Sequence, residues 1–271
     1  MHMNGKELSP EWIQEKELER THHVIQEMDD LGADFTYKGK SITVDTLFSL
    51  PFEEVKAALI ETKLALGSEK ILELYADKLA KSDKMWHEIA SKTVKGRNLQ
   101  PAYVDVDVDG LTLGEFLAFN QELNKMVNPA VPFEIHPEHF VFAGVHGGQE
   151  VMEMVGQYGE PTYQKLFIHP DAEKPITVDP DTKLAMVGDG VLMSDQNLDM
   201  MMYGMHQFKM KKGGLRIKLG VFFPDSAPHE MVLGHQEHLA VEFFNSLTIA
   251  YQNKSFKGKI LNTILKFKKF D

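Results

Sequence analysis

His235-Gln-Glu-His238-Leu-Ala-Val-Glu242 is the stretch of this 271-residue chain whose residue types are most able to do chemistry. It sits in a run that otherwise reads as an apolar helix. On a helix, positions 235, 238 and 242 share one face, because steps of three and seven residues return to the same side. Two imidazoles and a carboxylate in an apolar stripe are costly to bury unless something pairs with them. A divalent cation would do so, since His nitrogen and Glu oxygen are both ordinary zinc ligands. A solvated helix edge carrying ordinary polar residues is the other reading, so the rest of the chain has to decide.

Cysteine is absent, so any metal must be held by His, Asp or Glu. His22, His23 and His87 fall in helical sequence with no matching carboxylate pattern. His136-Pro-Glu-His139 precedes a strand, and Glu150-Val-Met-Glu153 follows the turn His146-Gly-Gly. If the latter is extended, Glu150 and Met152 face one way while Val151 and Glu153 face the other. An inward Glu153 would add a carboxylate towards the long helix. His206 sits mid-strand, where a core histidine satisfied by backbone is its plainer reading. Val187-Gly-Asp-Gly lacks the spacing of a dinucleotide fingerprint, and Met200-Met-Met reads as wall or core.

The elements that must position these groups fall into two regions. Residues 1–98 read as mainly helical: Ser9-Pro10-Glu11 opens a helix ending at Gly32, Asp34 to Val44 suggests a small hairpin, and Pro51 starts a helix closed by Gly67. Ser68 opens a third, with Ile71, Tyr75, Leu79 and Trp86 at helical spacing. Gly96 to Pro101 is the internal boundary. In residues 99–271, Tyr103-Val-Asp-Val-Asp-Val alternates with period two, and a helix spans about 113–126. Strands follow near 140–145, 163–168, 183–187, 200–211 and 215–223, with Lys211-Lys-Gly-Gly as a hairpin turn. A helix from about Glu230 to Gln252 closes them. The pattern is α+β, a sheet wrapped around one long helix.

Composition narrows the class. With 43% hydrophobic and 25% charged residues the chain is ordinary globular material. A formal charge of -11 argues against nucleic acid as a partner. No apolar N-terminal stretch or membrane-length run stands out, so the expected compartment is the cytoplasm. From Tyr251 onward, six lysines stand against Asp271 alone. Interleaved with Phe256, Ile260, Leu261, Ile264, Leu265 and Phe267, they make a basic amphipathic segment. Such a segment more often packs its apolar side onto its own domain or a neighbouring subunit than onto a membrane. Self-association is left open.

Gly110-Leu-Thr…Glu115-Phe116, Phe133-Glu-Ile-His-Pro-Glu-His139, Glu153-Met-Val-Gly, Met205-His206-Gln-Phe…Gly214 and His238-Leu-Ala-Val-Glu242-Phe together resemble the diacetylphloroglucinol and phloretin hydrolase family, collinearly over about residues 100–250. The resemblance implies a Bet v 1-like helix-grip sheet around the C-terminal helix, with an N-terminal helical addition. It implies one divalent metal, zinc first, with manganese or iron as alternatives. It further implies hydrolysis of a carbon–carbon bond between an acyl group and a polyhydroxylated aromatic ring. His238 and Glu242 match the paired ligands on the last helix and Glu153 the ligand on a strand; His206 matches a histidine near the reacting end of the substrate, the candidate general acid. The family's fourth ligand, a histidine in the helix after Gly-x-Thr, has no counterpart. Glu122 falls closest, and His139 is the other residue able to reach in. Three carboxylates with one imidazole would favour manganese, iron or magnesium over zinc. Tyr103, Tyr163 or Tyr203 and His139 are candidates for contacts to a small aromatic substrate. The rival function is a non-catalytic helix-grip carrier of a hydrophobic or aromatic ligand, with Phe140, Phe142, Met152, Phe167, Met201 and Phe222 as candidate lining.

Overall fold

The computed structural model describes residues 1–94, 99–168 and 174–267. The chain opens with a short hairpin, β1 (His2–Met3) and β2 (Lys6–Glu7), followed by α1 (Pro10–Asp30). Ser9 caps α1, its hydroxyl accepting from the Trp12 amide at 3.2 Å, with Pro10 in the first turn where no N–H is missed. A second hairpin, β3 (Thr36–Tyr37) and β4 (Lys40–Ser41), turns as the alternation around Gly39 predicts. Then come α2 (Val44–Leu47), α3 (Phe52–Leu74) and α4 (Ala76–Lys92). Gly67 takes a positive φ of 71° and breaks α3 internally. The helix expected to run on from Ser68 through Trp86 is divided at Tyr75. That side chain is wholly buried, donating its hydroxyl to Glu27 at 3.0 Å, and the backbone turns there to seat it.

The second region supplies β5 (Gln100–Asp109), α5 (Leu113–Asn124), α6 (Val131–Ile135), β6 (His139–Val145) and β7 (Gly148–Glu153). It continues with β8 (Thr162–Ile168), β9 (Leu184–Leu192), β10 (Tyr203–Lys211) and β11 (Gly214–Phe223), then α7 (His229–Gln252) and α8 (Phe256–Phe267). The strands form one antiparallel sheet in the order β2-β1-β5-β11-β10-β9-β8-β7-β6. Consecutive strands from β6 to β11 pair in turn, and β5 returns to pair with β11. α7 lies against the inner face. Val104, Leu215, Leu219 and Phe208 from strands meet Leu239, Ala240 and Phe243 from the helix in the main core. The architecture is α+β, as the alternating runs and closing helix predict. Among the described residues no helix is long and apolar enough to cross a membrane.

The division at residues 98–99 marks a change of element type, while packing continues across it. The boundary segment at 96–101 lies partly outside the described residues. Ile13, Trp86 and Ile89 belong to the main core. Val24, Ile25, Met28, Leu59 and Tyr75 bury the far side of β6 and β7 with Phe140, Val141, Met152 and Met154. β1 also extends the sheet at β5. The N-terminal helices therefore form the back wall behind the strands that carry His139 and Glu153.

Candidate metal centre

His139 and Glu153 face each other across the β6–β7 ladder, so their side chains emerge on one face. His139 Nε2 lies 3.5 Å from Glu153 Oε2. His238 reaches the same oxygen from α7, its Nε2 at 3.7 Å. All three are at least 90% buried. Zinc ligands about 2.0–2.1 Å from a tetrahedral ion lie about 3.4 Å from one another, so both spacings suit tetrahedral edges better than direct hydrogen bonds. Each ligand atom is also oriented from outside. His139 Nδ1 lies 2.8 Å from the Pro132 carbonyl, so it carries the hydrogen and leaves the Nε2 lone pair facing the centre. Gln164 donates to Glu153 Oε1 at 2.9 Å, leaving Oε2 free. Neither nitrogen of His238 has a hydrogen-bond partner among the described residues. A buried imidazole with two bare nitrogens is costly, and a cation beside Nε2 removes half of that cost.

One turn of α7 further on, Glu242 lines a cleft with Glu153, Gln164, His206 and His235. Burial raises Glu153 to about 8, with the charge of Glu242 adding to it. Burial raises Glu242 to about 7. His139 and His238 are pushed down to about 3 by burial, helped by nearby cationic groups. Without a cation and below about pH 7 the cluster is thus mainly protonated acids and neutral imidazoles; a divalent ion would displace protons from the acids only.

The stability consequence has a definite sign. Folded Glu153 and Glu242 hold protons that the unfolded chain releases near 4.5, so their contribution falls as pH rises towards 8. The imidazoles stay neutral when folded, whereas the unfolded chain protonates them below 6.5, so stability also falls under that pH. The cation-free protein is expected to melt highest near about pH 6, and added zinc to raise the melting temperature most above about pH 7. Melts in chelator and in zinc across this range check it; a zinc effect largest at acid pH would contradict the cluster's charge state.

Behind the ligands lies a second convergent set, His136, Glu138 and His238. His238 Nδ1 sits 3.4 Å from Glu138 Oε2. Glu138 is fully buried; Arg20 of α1 donates to its Oε1 from Nε at 2.6 Å and pairs with the same oxygen through a second nitrogen. His136 accepts from the Glu138 amide at 3.1 Å and stacks on His238 with ring centroids 3.8 Å apart. A second cation here would be repelled by the guanidinium, so this set orients His238. Lys63 of α3, fully buried, donates to the Pro137 carbonyl and to that of His139 at 2.8 Å, with its ammonium 4.9 Å from the Phe140 ring. Burial lowers Lys63 to about 7. Two basic side chains from the N-terminal helices, Arg20 and Lys63, thus clamp the His136–His139 turn.

Backbone contact packs the segment just after β7 against α7. A Cβ on Gly234 would lie 1.8 Å from the Gly156 carbonyl oxygen, and one on Gly156 would lie 1.9 Å from that of Met231. Gly234→Val is expected to push α7 outward, costing about 1–3 kcal/mol and weakening zinc binding at His238. Denaturant unfolding and chelator competition measure the two effects; unchanged zinc affinity would show that this contact does not set the site.

The structure brings Glu153, His238 and His139 together and places Glu242 and His206 on the adjoining cavity. His206 Nδ1 accepts from the Gly220 amide at 3.3 Å, and burial lowers it to about 4. Several expectations are corrected. Glu122 is exposed and lines nothing in the cavity, because the inward face of α5 is Phe116, Asn120, Leu123 and Asn124; steps of four, three and one from Phe116 bypass position 122. Tyr203 points to the outer face of the sheet, where it packs with Val187, Met205 and Phe222. It is an odd number of residues from inward-facing His206, so it had to. Tyr103 joins that outer cluster, and Tyr163 packs with the back wall. Phe142 and Phe167 line the cavity, whereas Phe140 and Met152 face the helices behind and Met201 is not among the lining residues. Arg20, Lys63, Glu138 and Gln164 went unsuspected. The one cue was a charged residue interrupting the buried face Ile13, Glu17, Arg20, Val24, Met28 of α1.

The cavity holds about 230 Å³ between sheet, α5 and α7, walled by Phe116, Phe142, Leu166, Phe208, Leu239 and Phe243 among others. No protein-family model matches the chain, and no curated protein matches it. Among solved structures, the crystal structure of Ara h 8.0201 is similar over 57% of this chain and 99% of its own, with 14% identity and a TM-score of 0.38. A likeness that distant bears on neither ligand nor reaction.

Proposed function

We propose that this chain is a Bet v 1-like helix-grip hydrolase holding one divalent cation through His139, Glu153 and His238, with Glu242 as the fourth ligand. Its reaction is cleavage of the carbon–carbon bond between an acyl group and a polyhydroxylated aromatic ring. One observation carries the reading: the buried His139 Nε2 and His238 Nε2 stand 3.5 and 3.7 Å from Glu153 Oε2, and Glu153 also lines the cavity that Glu242 and His206 share. With His139 in place of Glu122 the donor set is two imidazoles and two carboxylates, which returns the preference to zinc.

A bound divalent cation polarises a carbonyl and brings the pKa of water towards neutrality. The protein's own residues do the rest. An apolar cavity of about 150 Å³ takes up benzene, so 230 Å³ suits one substituted ring with a short acyl group. The phenyl and leucyl walls hold that ring and exclude bulk water. The Gly220 amide occupies His206 Nδ1, which leaves Nε2–H as the donor. At neutral pH that group hydrogen-bonds a substrate oxygen. On cleavage water supplies hydroxide to the acyl carbon and its remaining proton to the ring carbon; His206, neutral with Nδ1 occupied, holds the substrate oxygen through Nε2–H and keeps that proton, in place of the general-acid role expected of it.

Elemental analysis and turnover of acetylphloroglucinol form the test. The wild-type protein should carry zinc and hydrolyse the compound, and Glu242→Gln should lose most of both. Turnover that persists without metal would refute the assignment. Tight binding of the compound by metal-free protein, with no hydrolysis, would establish the carrier instead.

A further inference from the structure

We propose that α8 is a docking helix for an anionic lipid surface. It packs on α5 through a narrow small-residue seam: a Cβ on Gly114 would lie 2.1 Å from the Asn262 nitrogen, and one on Gly258 would lie 2.6 Å from the Glu115 Cα. Leu265 completes that side, buried. The opposite side is apolar and open. Phe256 is 77% exposed, Ile260 50%, Ile264 53% and Phe267 84%. At 100° per residue these four fall within one quarter of the helix circumference.

Charge names the occupant. Lys257 flanks the stripe on one side and Lys259 and Lys266 on the other, all exposed, and α8 contains no acidic residue. None of the three has an acidic partner among the described residues. Apolar residues dipping below the headgroups with lysine stems reaching back to phosphate is the arrangement of an interfacial helix. The rest of the chain is strongly acidic, so an anionic surface attracts this edge and repels the remainder, which orients the protein. A second copy fits poorly. A symmetric pairing would set lysine rows beside lysine rows, and four side chains fall well short of the roughly 800 Å² per partner of a stable interface.

Co-sedimentation of the full chain with phospholipid vesicles tests this. Pelleting is expected with vesicles containing phosphatidylserine at low salt, reduced at high salt, and absent with phosphatidylcholine alone. Ile260→Ser/Ile264→Ser and Lys257→Gln/Lys259→Gln should each weaken binding about tenfold or more. Their thermal melts should match wild type, because the altered side chains are exposed. Failure to pellet with phosphatidylserine, or pelleting that neither variant changes, overturns the proposal. So does a concentration-dependent dimer that Ile260→Ser/Ile264→Ser abolishes without any vesicle binding.

Discussion

Replacing His139 by alanine is expected to reduce bound zinc from about one equivalent to background and to cut turnover by on the order of a thousandfold or more. Glu122→Ala should leave both within about twofold. The contrast follows from position. The His139 imidazole is buried, its tautomer set by Pro132, and it stands directly across the ladder from Glu153. Removing it leaves an aqueous gap in the coordination shell that neither His136 nor His235 can fill. His136 gives Nδ1 to the Glu138 amide and lies face to face with His238. His235 also stacks on His238, parallel within 7°. Glu122 projects into solvent from the far side of α5. Folding should survive the alanine, since a desolvated imidazole is exchanged for a small apolar side chain. Metal content by elemental analysis and affinity by chelator competition decide the matter. Zinc retained in His139→Ala and lost in Glu122→Ala would restore the ligand to α5 and remove the centre described above.

That contrast also marks what the sequence could tell. Period-two and period-3.6 patterns located β5, β8, β11, α1 and α7 to within a few residues, because burying one face leaves a regular trace. The same patterns put Glu153 and Met152 on opposite faces of a strand, without fixing which face is inward, and set His238 and Glu242 on one side of α7. Strand parity also makes the outward aim of Tyr203 legible once His206 is inward. The ligand from the His136–His139 turn was harder. A turn has no period, so nothing in the sequence ranks His139 above a helical position matched by order alone. Arg20 and Lys63 contact that turn from 118 and 76 residues away. Such partners are set by tertiary closure and leave no local mark beyond a charge in an apolar stripe.

Those distant partners yield the other large effect. Arg20→Met is expected to destabilise the cation-free protein by about 3–5 kcal/mol, because the fully buried Glu138 loses its guanidinium and burial already raises its pKa. Combining Arg20→Met with Glu138→Met should recover most of that stability, since an apolar pair of similar volume fills the space without an unpaired charge. Zinc affinity should not recover with it. Glu138 Oε2 stands 3.4 Å from His238 Nδ1, and without that carboxylate the ring loses the negative charge that favours a proton on Nδ1 and a bare Nε2. The double variant should therefore fold nearly as stably as wild type yet bind zinc about 10- to 100-fold more weakly. Denaturant melts in chelator give the first quantity and competition with a chromogenic chelator gives the second. A merely structural ion pair predicts that stability and affinity return together. If they do, Glu138 only neutralises Arg20, and the orientation of His238 comes from its stacking with His136 and His235.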